Sequence, residues 1–153
     1  MTAASGIALR DLVAKDLEAA WALDQACFEP GIAYSRAEIR SFLARPGAIA
    51  LAAESEGGGN LAGFAIAERK GRKGHVITID VEAAARRRGL GRRLFRELSR
   101  RLEAAGAKVI RLEVDVRNAG AIRFYEGLGF EKTRVLRGYY GSGLDGYEMV
   151  RED

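Results

Sequence analysis

The run that most constrains the fold is a strand, a turn and a helix in the middle of the chain. The segment "GHVITIDVE", residues 74–82, is β-branched and apolar on both faces, which is typical of a central strand covered on both sides. The helix that follows is amphipathic because its leucines recur every four residues. They are Leu90, Leu94, Leu98 and Leu102, with Phe95 and Ala105 beside them. A buried strand that leads into such a helix indicates an α/β fold.

The rest of the chain predicts further strands and helices in a mixed order. A short strand is expected within "GIALRDLVAKD", residues 6–16. A helix is expected from Asp16 to "EPG", and Ser35 with Glu38 forms the capping box of a second helix. The later strands are "AIALAAES" and "NLAGFAIAER" around the loop "EGGGN", then "GAKVIRLEVDV", "EKTRVLRGYY" and "DGYEMVRED", with a short helix in "AGAIRFYEGLGF". The order β-α-α-β-β-β-α-β-α-β-β predicts one mixed sheet of about seven strands with helices on both faces.

Length and composition indicate one globular domain over residues 1–153. The chain is 48% apolar and 30% charged, which is ordinary for a globular protein that folds without disulfides. Its single cysteine, Cys27, excludes an internal disulfide and a multi-cysteine metal site, and we expect a buried core thiol there. The N-terminus has no signal-peptide pattern and no apolar run reaches the ~18 residues of a membrane span. We therefore expect a cytoplasmic protein without a membrane partner.

The turn between the central strand and its helix combines glycines with arginines in "RRRGLGRRLF", residues 86–95. First-turn amides of a helix lack internal partners and carry about half a positive charge, so they attract anions. Gly89 and Gly91 let a phosphate approach the backbone. A P-loop is excluded because arginines follow in place of Lys-Ser/Thr, and the Rossmann fingerprint because Leu94 takes the third glycine position. The glycine spacing alone is equally typical of an ordinary solvated helix start.

A second interpretation of the arginines is a basic nucleic-acid-binding module. The chain carries a net charge of +4 with a pI near 9.5, and Arg92, Arg96 and Arg100 share one helix face. Against this interpretation, Glu97 precedes Arg101 by four residues and so supports the helix itself. The arginine face also lacks interleaved aromatic residues that would stack bases.

Three segments, in this order along the chain, resemble the GNAT superfamily of N-acetyltransferases. "RRRGLG" fits its acetyl-CoA motif Q/R-x-x-G-x-G/A, and "LEVDVRNAGAIRFYEGLGF" is similar to its "LEVR-x-S-N-x-x-A-I-x-L-Y-E-x-L-G-F" segment. The ending "RVLRGYYGSGLDGYEM" resembles the RimI-type ribosomal-protein-alanine acetyltransferases and the archaeal and eukaryotic N-terminal acetyltransferases. The matches cover residues 74–149. The resemblance implies a mixed sheet whose fourth and fifth strands splay apart around acetyl-CoA.

The resemblance also assigns cofactor contacts. The pyrophosphate is expected on the backbone of the turn, and the pantetheine along residues 79–81 like an added strand. A bulge of the family in this strand is expected to leave the Val81 N–H facing the thioester oxygen, where it stabilises the oxyanion. The full predicted set is Ile79, Val81, Arg86, Arg87, Arg88, Gly89, Leu90, Gly91, Arg92, Arg93, Asn118 and Tyr125.

For catalysis the resemblance assigns Tyr125 as the acid that protonates the departing thiolate, since a phenol of pKa near ~10 can serve a thiol near ~8.5. The alternative is a core tyrosine on one helical face with Ile122 and Leu128. Glu113 matches the glutamate that RimI-type enzymes place near the substrate amine. It is our first choice of base, although pairing of the acidic residues with nearby arginines is an equally good interpretation. Asp115, or a water held by His75, is the alternative base, and a structural histidine is the simpler interpretation of His75.

The acceptor site is expected between two loops. The resemblance places Tyr139 and Tyr140 against the first residues of a substrate N-terminus, with Phe28, Glu29 and Tyr34 of "FEPGIAYS" as the opposite wall. This loop departs from the "F-P-W-S" of RimI-type enzymes. We therefore expect direct acetyl transfer to a protein N-terminus, with ribosomal protein S18 as one candidate and no direct nucleic-acid partner, by a monomer or weak homodimer. A small-molecule amine, a lysine side chain, or acyl-CoA binding without catalysis are the alternatives.

Overall fold

The structure is a computed structural model that describes residues 6–55, 57–58, 60–141 and 143–152. In this part of the chain the strands are β1 (Ala8–Asp11), β2 (Ala48–Glu54), β3 (Leu61–Lys70), β4 (Lys73–Val81), β5 (Val109–Asp115), β6 (Glu131–Leu136) and β7 (Gly146–Glu152). The α-helices are α1 (Leu17–Cys27), α2 (Arg36–Ala44), α3 (Leu90–Ala104) and α4 (Ala119–Gly127). The predicted element order is confirmed. Residues 1–5 of the N-terminus, and Glu56 and Gly59 of the glycine loop, lie outside the described residues.

All seven strands form one mixed sheet in the order β1-β2-β3-β4-β5-β7-β6, which confirms the predicted fold class. Neighbouring strands are antiparallel except β4 and β5, which are parallel. These two strands pair only at their beginnings, through residues 73–75 of β4 and 109–111 of β5. Beyond that point β5 pairs with β7 alone, so a gap opens in the middle of the sheet. The predicted splaying of the fourth and fifth strands is confirmed.

Helices cover both faces of the sheet, as the sequence predicts. On one face the leucine stripe of α3 packs against a core that includes Leu51, Val76 and Ile110. On the other face α1 and α2 pack through Ala20 and Ile39 against strand residues that include Phe64. The alternation of side chains along the strands supplies both cores, because successive residues point to opposite faces.

The prediction that the β4 segment is covered on both sides is wrong for its second half. The strand buried along its length is β3, in which every residue from 61 to 68 is buried. In β4, buried residues alternate with half-buried ones, among them Ile77, Ile79 and Val81. The physical reason is the gap beside β4. It leaves apolar side chains of this strand half-buried where the sequence predicted that they would be fully buried.

Two predicted helix starts differ in how they are capped. Ser35 and Glu38 form the expected capping box, in which Ser35 Oγ accepts the Glu38 amide at 3.1 Å and Glu38 Oε1 accepts the Ser35 amide at 3.0 Å. Asp16 precedes α1, but its carboxylate makes no capping bond to that helix. It binds the Arg10 guanidinium at 2.9 Å instead, which fastens β1 to the start of α1.

Candidate active site

The gap between β4 and β5 is the floor of a groove of about 1070 Å³, called the groove below. It collects side chains and backbone from α1, β4, the turn before α3, β5, α4 and the loop before β7. Most of the residues predicted for a site line it: Phe28, Glu29, Tyr34, Ile79, Val81, Arg86, Arg87, Gly89, Leu90, Gly91, Arg92, Glu113, Asn118, Tyr125, Tyr139 and Tyr140. The structure therefore brings together residues that lie up to 112 positions apart in the sequence.

Three predicted residues do not line the groove. His75 lies behind Glu113 and reaches the groove only through that carboxylate. Arg88 is outside the groove lining, and the Arg93 guanidinium donates to the carbonyl of Ile7 at the start of the chain. The Arg93 amide is also used within α3, where it donates to the Gly89 carbonyl at 3.0 Å, so it is not one of the free first-turn donors.

The turn before α3, residues 86–91, is called the glycine turn below. Gly89 caps the helix with φ of 79° and Arg87 has φ of 66°, so two residues of this short segment are left-handed. For a non-glycine residue the left-handed conformation costs about 1–2 kcal/mol, and such residues cluster at functional sites. Gly91 lies close to the Phe124 ring, 3.4 Å from the position that a Cβ would take. Because this turn leads directly into α3, the first-turn N–H groups of the helix have no partner within it, which suits an anion.

The bulge expected in β4 is present, but four residues before Val81. Ile66 of β3 pairs with Thr78, whereas the next residue, Ala67, pairs with Val76. Ile77 is therefore the extra residue of a β-bulge. Ile77 packs into the core beneath α1 and α2. Val76, one residue before it, and Ile79, two residues after it, both pack into the core on the other face of the sheet. The expected bulge therefore lies at Ile77, before residues 79–81, along which the resemblance implied it.

The Val81 amide nevertheless faces the gap. The Glu82 amide donates to the Ala62 carbonyl of β3 at 2.9 Å. Because N–H groups along a strand point alternately to its two sides, the amides of Val81 and Ile79 point away from β3 and into the space that β5 leaves open. An extended ligand that paired with this edge would complete the sheet locally.

Tyr125 of α4 enters the groove from the side opposite the acceptor loops. Its ring packs edge-on against Phe124 and Phe130, with ring centroids 5.2 and 5.8 Å away. Among the described residues its hydroxyl has no hydrogen-bond partner, so it is available to a ligand. Burial, together with the negative charge of Asp80, raises the pKa of Tyr125 above its usual value. The phenol is therefore protonated throughout the physiological pH range.

Glu113 of β5 is the centre of a hydrogen-bonded cluster. Its Oε1 lies 2.6 Å from His75 Nε2 and accepts the Tyr139 hydroxyl at 3.2 Å, while Oε2 pairs with the Arg111 guanidinium. Burial by itself would raise the pKa of Glu113, but the His75 bond and the adjacent positive charges outweigh it, so the pKa lies below its usual value. Since the carboxylate is ionised and only accepts, His75 Nε2 carries a proton and donates it in this hydrogen bond. Glu113 is thus both a possible base and a partner of an arginine.

The acceptor end of the groove is lined by aromatic rings. Tyr139 and Tyr140 stack edge-on with centroids 4.9 Å apart. Tyr34, on the opposite wall, packs on Phe42 at the same centroid distance of 4.9 Å. Burial and the Glu113 carboxylate raise the pKa of Tyr139 to about 12, so it donates rather than accepts in its bond to Glu113. This end of the groove offers apolar walls with hydroxyl groups at their tips.

An ion cluster at the mouth of the groove contains the alternative that the sequence offered, a pairing of Asp115 with a nearby arginine, together with Glu29, whose part in it was not predicted. Arg117 pairs with Asp115 at 2.6 Å and also with Glu29, so it connects the end of β5 to the loop after α1. These bonds, chiefly the one to Arg117, lower the pKa of Asp115, as the partners of Glu113 lower the pKa of that carboxylate. A signal was present in the sequence, because the matched pattern has Arg and Ser where this chain has Asp115 and Arg117.

Cys27 is not the buried core thiol that the sequence predicts. It is half-buried at the end of α1 and lines the groove, with Sγ 3.5 Å from the Val81 carbonyl oxygen and 3.6 Å from the Arg86 guanidinium. Burial, followed by the charge of Asp80, raises the pKa of the thiol. A protonated thiol is a poor nucleophile, so the proximity of Cys27 does not make it a covalent catalyst.

No helix within residues 6–152, as far as these are described, is long and apolar enough to cross a membrane. The described His, Cys, Asp and Glu side chains form no group of three that could hold a metal ion.

The fold and the groove together define a class of protein. Its members have an open mixed sheet in which two parallel central strands diverge beside a glycine turn and a helix N-terminus. The chain belongs to the acetyltransferase (GNAT) family, whose family model matches residues 17–130. The resemblance inferred from the three sequence segments is therefore confirmed.

Relatives within the family are named as an N-alpha-acetyltransferase or a ribosomal-protein-alanine N-acetyltransferase. The chain is 42% identical over 100 residues to the N-alpha-acetyltransferase RimI of Mycobacterium tuberculosis, a match that covers 62% of this chain and 61% of that protein. It is 34% identical over 125 residues to the [ribosomal protein bS18]-alanine N-acetyltransferase of Salmonella typhimurium, covering 82% and 81%. The crystal structure of the ribosomal-protein-S18-alanine N-acetyltransferase from Escherichia coli superimposes with a TM-score of 0.85 at 28% identity, over 95% of this chain and 93% of that one.

Proposed function

We propose that the protein is an acetyl-CoA-dependent N-acetyltransferase that acetylates the N-terminal α-amine of a protein by direct transfer. The observation that carries the proposal is that one groove is lined by the glycine turn, the open edge of β4, Tyr125, Glu113 and the aromatic acceptor end. Membership of the GNAT family and the names of the relatives support the same activity.

The glycine turn and β4 fit acetyl-CoA. The first-turn amides of α3, from Leu90 to Arg92, and the adjacent arginines are suited to the pyrophosphate. The amides of Ile79 and Val81 are free to pair with an extended pantetheine, and their half-buried apolar side chains match its hydrocarbon portions. Bound there, the cofactor supplies an activated acetyl group as a thioester. Asn118 caps α4 by accepting the Ala121 amide at 3.1 Å, and its side chain also faces the groove.

The charged cluster of β5 is suited to removing the proton of an incoming amine. An α-amine has a pKa near ~8, so a mild base suffices, whereas a lysine side chain near ~10.4 requires more. Glu113, backed by His75, accepts that proton directly or through a water. As the new C–N bond forms and the C–S bond breaks, Tyr125 gives its proton to the departing thiolate. The Val81 amide, which faces the gap, is positioned to donate to the oxyanion.

The acceptor end favours a peptide over a small polycation. Its walls are the rings of Tyr34, Tyr139 and Tyr140, with Phe28 between them, and such rings pack on the first side chains of a peptide while their hydroxyls bind its backbone. A ribosomal protein of the S18 type is the acceptor that the names of the relatives suggest. We further propose a single acetyltransferase domain over residues 1–153 in the cytoplasm, as a monomer or weak homodimer without a direct nucleic-acid partner.

A peptide screen tests the function. The protein is incubated with acetyl-CoA and peptides that carry either a free N-terminus or an acetylated N-terminus plus one lysine, and products are located by mass spectrometry. The proposal expects acetylation at the free α-amine. Acetylation of lysine, a polyamine or an aminoglycoside with free N-termini untouched would overturn the acceptor. Tight salt-dependent binding to DNA or RNA, without acetyl-CoA binding, would favour the basic-module alternative.

A further inference from the structure

Two buried carboxyl groups lie behind the acceptor end of the groove and take no part in the chemistry above. Asp24 belongs to α1 and Asp80 to β4, and these residues are 0% and 1% exposed. Their side chains are within hydrogen-bond reach of each other. A pair of this kind is costly to bury unless something satisfies its oxygens, so its presence requires a physical account.

Hydrogen-bond accounting shows what the pair lacks. Asp24 Oδ2 accepts the Tyr34 amide at 2.7 Å, and Asp80 Oδ1 accepts the hydroxyl of Thr78. The two other oxygens, Asp24 Oδ1 and Asp80 Oδ2, are fully buried and have no donor among the described residues. Two ionised carboxylates in contact would repel each other and leave both of these oxygens unsatisfied. One proton between them removes the repulsion and satisfies both.

The surroundings help the pair to retain that proton. Burial and the contact with Asp24 raise the pKa of Asp80 well above its usual value. The charged or titratable groups that face the pair are Arg86 from the glycine turn, Cys27 from α1, Tyr34 from the loop after α1, and Tyr125 from α4. Of these only Arg86 is cationic, and it lies on the exposed side of the groove, so no buried cation replaces the proton.

The pair connects the two functional halves of the groove. The loop of residues 28–35, called the acceptor loop, is held to α1 through both backbone groups of Tyr34. Its amide donates to Asp24, and its carbonyl accepts Gln25 Nε2 at 2.8 Å. Asp80 lies between Ile79 and Val81, the two residues whose amides face the gap. A bond between Asp24 and Asp80 therefore ties the acceptor loop to the cofactor edge of β4.

We propose that Asp24 and Asp80 share one proton. We further propose that the pair is a positioning device, which holds the acceptor loop in place beside residues 79–81 of β4. Its effect on acceptor binding rests on the proposed function, whereas the shared proton and the held loop do not. Neither side chain is a catalytic residue, because both act through the backbone that they fix.

The shared proton and the held loop are tested by infrared spectroscopy and by hydrogen exchange, neither of which depends on enzyme activity. Both measurements use the whole chain of residues 1–153. At pH 7 the wild type shows an infrared C=O band of a protonated carboxyl, and Asp80→Asn removes it. Asp16→Asn is the matched control, a buried aspartate that pairs with Arg10, and it leaves the band in place. Absence of the band from the wild type overturns the shared proton.

Hydrogen exchange at the Tyr34 amide tests the held loop. Asp24→Ala removes its acceptor and is expected to speed exchange about fivefold or more, the worth of one hydrogen bond. Asp24→Asn keeps an oxygen for Tyr34 and an N–H for Asp80, so it is expected to exchange like the wild type. Equal exchange in Asp24→Ala and the wild type overturns the positioning role.

Peptide kinetics give the functional readout. Asp24→Ala is expected to raise the KM for the acceptor peptide about fivefold, with acetyl-CoA affinity and kcat at saturation within about twofold, and Asp24→Asn restores it. If Asp24→Ala lowers acetyl-CoA affinity as much as acceptor affinity, the pair is a general structural element and the proposal fails. If the wild type acetylates no N-terminal peptide, the proposed function fails. The infrared and exchange results then still decide whether the pair shares a proton and whether it holds the acceptor loop.

Discussion

The two ends of the groove are built by different physical means. The cofactor end consists largely of backbone groups: the amides of α3, the edge of β4 and the left-handed residues Arg87 and Gly89. The acceptor end consists of side chains from separate segments, including Tyr34, Glu113 and Tyr139. Backbone recognition depends on a local conformation that a short motif can encode, whereas side-chain recognition depends on distant segments meeting correctly. The difference predicts that substitutions at the two ends have separable effects.

The largest expected effect lies where the two ends meet. Tyr125→Phe keeps the ring that packs on Phe124 and Phe130 but removes the proton donor. We expect kcat to fall about 100-fold or more, the usual contribution of a general acid, with the acetyl-CoA dissociation constant within about twofold. Single-turnover assays and calorimetry measure the two quantities. An unchanged rate would remove Tyr125 from the acid role.

Glu113→Gln acts on the acceptor end alone. We expect kcat/KM for the peptide to fall about 100-fold because the base is lost, with acetyl-CoA affinity unchanged. The pH dependence of stability gives a second check. Because the pKa of Glu113 is lowered in the folded state, its stabilising contribution is present above the unfolded value near ~4.3 and is lost as the pH falls through the folded pKa. The difference in thermal stability between wild type and variant should therefore shrink below about pH 4.3; a difference that grows on acidification contradicts it.

Gly89→Ala acts on the cofactor end alone. At φ of 79° an alanine is strained, which costs about 1–2 kcal/mol and distorts the turn. We expect acetyl-CoA affinity to fall about tenfold, since 1.4 kcal/mol corresponds to that factor. Gly106→Ala is the control, with φ of 115° and open space around it after α3. Both variants should lose stability, and only Gly89→Ala should lose acetyl-CoA affinity. Equal affinity in the two would mean that the turn does not bind the cofactor.

The smallest effect is expected at the mouth of the groove. Arg117 is exposed, and exposed ion pairs contribute little. Arg117→Ser should change the acceptor KM by about twofold, and the change should diminish at high salt. Peptide assays at two salt concentrations measure this. A change of more than about tenfold would show that Arg117 contacts the acceptor, because lost pairing with Glu29 and Asp115 cannot account for it.

The cofactor end was largely predictable from the sequence, and the acceptor end less so. "RRRGLG" after a β-branched strand and before a leucine stripe predicts the turn from neighbouring residues alone, and the structure has that turn. The errors arose where distant elements meet. Cys27 was expected to be a buried core thiol, yet α1 ends beside Val81 and Cys27 lines the groove. The bulge in β4 was expected along residues 79–81, and its position at Ile77 depends on the register with β3.

The sequence by itself determined the order of the elements, the mixed sheet, the glycine turn and the family. Each of these depends on periodicity, on backbone conformational preference, or on motifs that are contiguous in the chain. Only the tertiary structure decided that β4 is open on one side, that Arg117 joins Glu29 to Asp115, and that Asp24 meets Asp80. The physical reason is that these features are contacts between elements, made by side chains whose own neighbours in sequence carry no information about their partners.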